Sequence, residues 1–389
     1  MAKTFKREIK KLQWLFNLAI FSHKIVPIWN INYFKVFLHA IHLCRNERFM
    51  PAEAFRLGLF RPNLSPSELS KYISRKKLTK VQESLNPPSW ATLLKDKSIF
   101  YRYCMALDIP IPKLYGIFIK RVAGWSYKGS TLRNRDDWKR FFDNQLPQEF
   151  VIKPVRGAYG RGVNIFRKTE KGFIDAFAKL YTAADIYDMM FLSIDDDSFL
   201  IQERLKNHLD LVRLSSTEAL QTVRIITFID SDYQCHILHA HFKTIVDHQV
   251  IDTFLDGLTG NIEASVTLTN GVLKPANQIT SSGEGIRTVH KHPKTGISFE
   301  GFKLPFWTEA CSLVKEAAPK FLPIRTIGWD VALTPNGPYI MEGNIWWDPP
   351  NQHRCMDIII DALSCDSHSL IPQAGKNQNL CRSSLVLPT

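Results

Sequence analysis

The chain has 389 residues, 45% hydrophobic and 22% charged, which gives material for two or three domains and excludes disorder along its whole length. Lys and Arg outnumber Asp and Glu 50 to 37, a net charge of +13, and that excess favours anionic partners: nucleotides, nucleic acid, anionic lipid or phosphorylated sugars. The seven cysteines are scattered and form no Cys-x-x-Cys pair, so neither a disulfide framework nor a zinc ribbon is expected and a reducing cytoplasm is the default compartment.

The first 90 residues read as helices broken by proline. Between residues 12 and 44 aromatic and aliphatic side chains are dense, but Lys24, Asn30, Asn32, Lys35, His39 and His42 interrupt them. No apolar run of about 18 residues is therefore available to cross a bilayer, and no small-residue cleavage site marks a signal peptide. A helical pair packed on the main body is the first expectation; a basic, aromatic-rich pair lying peripherally on the inner membrane face is the second. From Ser67 to Ser84 a Ser-x-Glu start and the spacing of Leu69, Ile73, Leu78 and Val81 predict a further helix. Its other face carries Lys71, Arg75, Lys76, Lys77 and Lys80. That face reads as solvated, and with no groove-reading motif beside it no nucleic-acid partner is expected. Asn86-Pro87-Pro88 marks a boundary, dividing the chain into a helical region 1–90, a main domain 91–366 and a loose tail 367–389.

From Lys95 onward helices and strands alternate. A helix over 97–107 ends before Ile109-Pro110-Ile111-Pro112, which leads into a strand at 114–119. A polar helix at 135–144, strands at 150–155 and 163–167, a helix over 172–190 and a strand at 199–205 follow. Two long β runs come next, at 222–229 and 235–246, then turns at Thr259-Gly260 and Asn270-Gly271. Pro305 opens a helix through Phe321, and strands at 327–333 and 339–344 flank the turn Thr334-Pro335-Asn336-Gly337, a hairpin signal. The fold class is α+β with largely antiparallel sheets.

Three clusters carry candidate chemistry. The first is Lys153-Pro154-Val155-Arg156-Gly157-Ala158-Tyr159-Gly160-Arg161-Gly162, a strand end running into three glycines among cations. Glycine lets amide N–H groups approach phosphate oxygens while Lys153 neutralises them. It is not a Walker A loop, because no Gly-Lys-Ser/Thr follows and the next element is a strand; taken alone it also reads as a plain hairpin. The second is Asp330 on one strand of the C-terminal hairpin with Glu342 and Asn344 on the other. Strand alternation puts Glu342 and Asn344 on one face, and three oxygen donors among apolar neighbours suit one or two Mg2+ ions holding phosphates. The third, Gln202-Glu203-Arg204-Leu205 followed by Asp210, offers backbone groups and carboxylates to an adenine edge and a ribose.

In this order these motifs resemble the ATP-grasp superfamily. Thr222-Val223-Arg224-Ile225-Ile226-Thr227, Gly328-Trp329-Asp330 and Glu342-Gly343-Asn344-Ile345-Trp346 narrow the likeness to its sugar-transfer-associated family, over about residues 95 to 350. The resemblance implies two α+β subdomains clamping ATP. It implies Lys97 and Lys153 on the phosphates, a mobile lid from Gly157 through Gly160 to Gly162, and Glu203 with the backbone of Arg204 and Leu205 on adenine. Asp210 is the ribose candidate, with His208 as rival. Asp330, Glu342 and Asn344 would hold Mg2+ or Mn2+, and Arg224 and Lys243 would stabilise the transferred phosphoryl group or an acyl phosphate. One departure is Gly328-Trp329 directly before Asp330, where many relatives carry an arginine.

The activity implied is an ATP- and Mg-dependent ligase that activates a carboxylate for attack by an amine, in cell-surface polysaccharide biosynthesis, on a small-molecule or sugar-linked substrate. A small-molecule kinase and a nucleotide-binding accessory protein are the alternatives. Elsewhere, His239 and His241 share a strand face and read as ordinary polar positions in the absence of further zinc ligands. Residues 281–285 read as a flexible loop, and Asp247, Asp256, Gly257 and Asn261 as turn residues or the border of an acceptor pocket.

Overall fold

Strand β1 (Leu114–Ile119) has five of its six residues buried, too many for an edge, and it lies inside a sheet. The computed structural model describes residues 2–157, 160–246, 252, 259–280, 282–350 and 363, without the side chains of 2–8, 10 and 11. Within them, the β1 sheet also contains β2 (Gly124–Ser126), β3 (Thr131–Leu132), β4 (Glu149–Pro154), β5 (Asn164–Thr169), β6 (Gly172–Ile174), β7 (Leu180–Tyr181) and β8 (Ser198–Glu203). The order is β3-β2-β1-β8-β4-β5-β6-β7, every pair antiparallel.

One face of this sheet is closed by α8 (Arg135–Gln145) and α9 (Ala183–Phe191). Asn134 and Thr182 cap the two helices by accepting from Asp137 N and Asp185 N. Trp138, Phe141 and Phe142 on α8 are buried, with Trp138 edge-on to Phe118 and Phe142 stacked on Phe150. Each such ring contributes roughly 2–3 kcal/mol by leaving water.

The second sheet holds β9 (Thr222–Ile229), β10 (Cys235–Thr244), β11 (Ile262–Val266), β12 (Leu273–Ile279), β13 (Ile286–Val289), β14 (Thr326–Thr334) and β15 (Gly337–Asn344). Its order is β13-β12-β11-β10-β9-β14-β15, again antiparallel. The C-terminal hairpin closes at Thr334 opposite Gly337, as the turn residues predict. α11 (Trp307–Ala317) and α7 (Lys97–Ala106) cover one face, where Ile225, Val314, Phe100, Phe321 and Trp329 share a core. Asp96 caps α7 by accepting from Ser98 N and Ile99 N at 3.0 and 3.2 Å. Next to it stands the short helix α6 (Thr92–Lys95), and α10 (Leu209–Ser215) leads toward β9.

The opposite face is covered only in part. α5 (Arg75–Leu85) lays Leu78 and Leu85 on Ile226, Phe228, Leu238 and Trp347. Arg224 and Ile226 alternate to the same side of β9, so α5 shields the Ile226 half and leaves the Arg224 half open toward the first sheet. Helices α1 (Ala2–Trp29), α2 (Tyr33–Arg45) and α3 (Pro51–Arg56) form a satellite cluster joined to β12 through Ile279, and α4 (Pro66–Leu69) lies between them and α5.

Three expectations are corrected. The helix expected over 67–84 is two, α4 and α5, because Ser74 turns the chain and caps α5 at Lys77 N, 3.3 Å away. The helix expected over 172–190 begins only at Ala183: Gly172 at a φ of 131° and the Asp175 turn, accepting from Phe177 N and Lys179 N, fold 172–181 into β6 and β7. The loop expected to be flexible at 281–285 is anchored by its glycines, Gly283 against Phe55 and Ile25 and Gly285 against Leu57 and Gly58, while Ser282 and Glu284 are exposed; Ser281, like the tail 367–389, lies outside the described residues.

The 90/91 boundary divides a packed unit. Asn86 is fully buried; its amide donates to Thr326 O and Ile345 O at 2.9 and 3.1 Å and accepts from Arg325 N and Thr326 N at 2.9 and 3.0 Å. Gln82 adds a bond to Trp347 O at 2.9 Å. Asn86→Ala strands four backbone groups, and we expect it to cost about 2–4 kcal/mol in urea unfolding, while a 91–389 truncation should aggregate. A soluble truncation with a wild-type midpoint would show that the α5 junction adds nothing.

Candidate active site

Strand register builds the site. Glu342 lies opposite Asp330, Asp330 opposite Arg224, and Arg224 opposite His241, so β15, β14, β9 and β10 present one cross-strand row on the open face. Asn344 is two residues from Glu342 and donates to Gly328 O at 3.2 Å. Lys243, two residues from His241, stands opposite Glu263 on β11.

The row is held by charge. Arg224 grips Asp330 with two bonds, Nε to Oδ1 at 2.6 Å and Nη2 to Oδ2 at 3.1 Å. Lys243 Nζ is 3.0 Å from the same carboxylate and 3.8 Å from Asp252, which also accepts from Thr222 N at 2.7 Å. Burial alone would push the Asp330 carboxyl up, but Arg224 and Lys243 outweigh it and hold the group well below the usual carboxylate range. Burial pushes Asp252 up, with Lys243 opposing. His241 is driven well below its ordinary value, first by burial and then by its neighbours His239, Arg224 and Lys243, and its Nδ1 has no hydrogen-bond partner.

The first sheet and α7 supply the facing wall. Lys153, at the end of β4, is only 8% exposed; its ammonium donates to the Tyr101 hydroxyl at 3.1 Å and sits 4.8 Å from that ring's centre. Lys97 donates to Gly157 O at 2.9 Å and stands 3.7 Å from Glu342. Burial, and then the charge of Lys97, bring the Lys153 pKa down to about 7.

The loop between β4 and β5 carries positive φ at Gly160 and Gly162, and a Cβ at Gly162 would come within 2.8 Å of Pro154; a side chain there would reshape the turn. At the other end Glu203 accepts from Lys113 N at 3.0 Å and Arg204 pairs with Glu149 at 2.6 Å.

These groups enclose one cleft of about 790 Å³. It brings together Lys97, Lys153, Gly157, Gly160, Glu203, Arg204, Leu205, Arg224, Lys243, Asp330, Glu342 and Asn344. Gly162 and Asp210 are not among its lining residues. Asp210 is at the first turn of α10, tied to His208 at 3.4 Å and Arg213 at 3.5 Å, and Glu218 in the following loop lines the cleft instead.

Sequence reasoning also missed His241, Asp252, Glu263 and Arg75 of α5, which line the same cleft. His241 had a legible signal in its two-residue spacing from Lys243; Asp252, which approaches Lys243 to 3.8 Å, had none. Asp247, Asp256 and Gly257 lie outside the described residues, and Asn261 is a buried turn residue accepting from Val246 N at 3.3 Å. Among the described residues no three His, Cys, Asp or Glu side chains gather as a metal site; the oxygen set here is two carboxylates and an amide.

A sequence profile described as sugar-transfer-associated ATP-grasp matches residues 76–350, well over half of the chain, and the chain belongs to that family. No curated protein matches. Among solved structures, biotin carboxylase from Campylobacter jejuni is 14% identical at a TM-score of 0.42, over 72% of this chain and 48% of its own. An L-amino acid ligase from Bacillus licheniformis is 10% identical at a TM-score of 0.37, over 70% and 48%. D-alanyl-alanine synthetase A from Vibrio cholerae is 14% identical at 0.39, over 72% and 67%. The chain spans about half the length of the first two.

Lys153 generates a prediction for the protein without nucleotide or divalent metal. Its folded pKa, about 7, lies below the unfolded value of about 10.4, so between the two the unfolded chain binds more protons and stability rises with pH. Relative to Lys153→Met, the wild type should gain roughly 3–5 kcal/mol from pH 6.5 to 10, read from urea midpoints. A flat difference would mean that the ammonium stays charged in the fold.

Proposed function

We propose that the cleft binds ATP and that the protein is a ligase that activates a carboxylate as an acyl phosphate for attack by an amine. The observation that carries this reading is the row Glu342–Asp330–Arg224 with Lys243 beside it, facing Lys97 and Lys153 across one cleft. Membership of the ATP-grasp family supports the nucleotide, and the family's association with sugar transfer favours a sugar-linked acceptor in cell-surface polysaccharide biosynthesis in the cytoplasm.

A carboxylate and a triphosphate repel each other, and oxide is a poor leaving group. Transfer of the γ-phosphoryl group to the carboxylate oxygen releases ADP and gives an acyl phosphate. The amine then forms the C–N bond, the C–O bond to phosphate breaks, and the amine gives up a proton. Lys97 and Lys153 neutralise the polyphosphate, and phosphate drawing near restores the charge that burial removes from Lys153. Arg224 and Lys243, oriented by Asp330, stabilise negative charge on the transferred group. The 157–162 loop shields the intermediate from water, and Glu203 with the backbone at Arg204 and Leu205 receives the base.

The donor set fits a hard divalent ion: Glu342 and Asn344 line the cleft with side-chain oxygens, Asp330 adds a carboxylate whose remaining lone pairs lie beside its bonds to Arg224 and Lys243, and Mg2+ is commonly held by one or two carboxylates with phosphate oxygens completing its shell. Bound there, Mg2+ or Mn2+ would supply charge neutralisation to the β- and γ-phosphates.

Glu342 is the residue to test, because it is one-third exposed, whereas Asp330→Asn would leave Arg224 buried without its counter-ion. Glu342→Gln should lower Mg-dependent turnover on the order of 100-fold with an unchanged thermal melt. Full turnover in the variant refutes the metal assignment. Mass spectrometry of products, with pooled amino acids and nucleotide sugars as substrates, tests the reaction: ADP, phosphate and an amide support the ligase, and a phosphorylated acceptor identifies a kinase.

A further inference from the structure

We propose that helices α1 and α2 form a docking surface for an anionic lipid bilayer, on which the protein lies without crossing it. The inward faces of the pair are accounted for. Leu18, Ile25, Val36, Ala40 and Leu43 are fully buried in a cluster with Phe55 of α3 and Ile279 at the end of β12, and Phe21 stacks on Phe55 with ring centres 4.6 Å apart.

The outward faces are unusual. Leu12 and Phe16 on α1 are 66% and 65% exposed, and Phe34 and Leu38 on α2 are 71% and 66% exposed. Each pair is spaced i, i+4, so each makes a continuous stripe along its helix, and Ile9 and Leu15 extend the stripe on α1. Scattered apolar side chains on a surface need no explanation, but contiguous ones mark an interaction site.

Charge selects the occupant. Residues 2–45 contain eight Lys and Arg, five of them between Lys3 and Lys11, against Glu8 alone. A second copy of the chain would bring two such cationic segments together, which like-charge repulsion opposes. An anionic headgroup layer satisfies both features, taking Phe and Leu into the acyl boundary while the Lys and Arg side chains meet phosphate. No described helix is long and apolar enough to span a membrane.

The experiment is sedimentation of the full chain with vesicles of phosphatidylcholine mixed with phosphatidylglycerol, and of phosphatidylcholine alone, at low and high salt. Binding should favour the anionic vesicles at least about tenfold and weaken by a similar factor at high salt, as screening shortens the reach of each charge. The double variant Phe16→Glu with Phe34→Glu should lose binding while keeping the wild-type melt and ATP turnover. In the unaltered chain, brominated lipid should quench part of the tryptophan fluorescence, since α1 carries Trp14 and Trp29. The proposal is overturned if the full chain ignores anionic vesicles at low salt, if brominated lipid causes no quenching, or if the folded double variant binds as the wild type does. It is equally overturned if light scattering shows a dimer that the double variant splits, which would assign the stripe to a second copy.

Discussion

The contact on which the site depends is the Arg224–Asp330 pair with Lys243 as its third member. The three side chains are 7–15% exposed, so each has lost most of its hydration, and only close, bidentate geometry offsets that loss. A pair of this kind contributes little net stability, yet removing one member costs about 3–5 kcal/mol, because a charge is left buried alone. It therefore acts as a register lock. Sliding β14 by one residue past β9 would turn Asp330 away from the cleft and leave Arg224 buried without its partner. The same lock fixes Glu342, which stands opposite Asp330, and so sets the spacing of the whole oxygen face.

The sequence made this row legible because strand alternation is a local rule. Asp330 and Glu342 flank a recognisable turn, although counting outward from Thr334 and Gly337 would set Asp330 opposite Met341, and a register shift between Asp330 and Val331 brings Glu342 there instead. The strands at 114–119 and 222–229 were legible for the same reason, as β-rich runs bounded by turn residues. What failed depends on contacts between distant segments or on backbone punctuation inside an apolar run. The 172–190 stretch has helical spacing throughout, but Gly172 and Asp175 break it before Thr182 can cap α9. The proline pair after Asn86 reads as a linker, yet Asn86 itself is bonded into the second sheet. Asp252 joins the ionic cluster at 3.8 Å from Lys243, a contact that no alternation in the sequence signals.

The two walls of the cleft differ in kind. The second-sheet wall is a continuous ladder: β11, β10, β9, β14 and β15 are hydrogen-bonded in that order, and the charged residues lie in paired register. The first-sheet wall ends in a glycine-bearing loop whose cations find looser partners, Arg156 with Asp96 at 3.3 Å and Arg161 with Asp195 at 3.5 Å. These arginines are largely exposed, so their pairs are screened and contribute little. A wall held by weak contacts can follow a ligand, whereas a wall held by a buried ionic cluster cannot. The buried ionic contacts thus fall on the β9–β14–β15 side of the cleft and the exposed ones on the β4–β5 side.

Lys153 sits at the seam between these walls, where burial and a second cation act on it together. A permanent ammonium there would be buried 8% exposed beside Lys97, a like-charge contact in low dielectric. Losing its proton near neutral pH relieves that contact, and the Tyr101 hydroxyl remains as a neutral partner at 3.1 Å. An anion entering the cleft reverses the balance, because attraction to phosphate favours the ammonium as strongly as burial opposes it. Near neutral pH the ammonium and the neutral amine are then both populated, and an anion beside Lys153 shifts that balance toward the ammonium. Arg224 cannot make this adjustment, since a guanidinium keeps its proton at every accessible pH. The two cations are accordingly paired in different ways: Arg224 is bound bidentately to Asp330, whereas Lys153 donates to a phenol and feels Glu342 and Asp330 only through space.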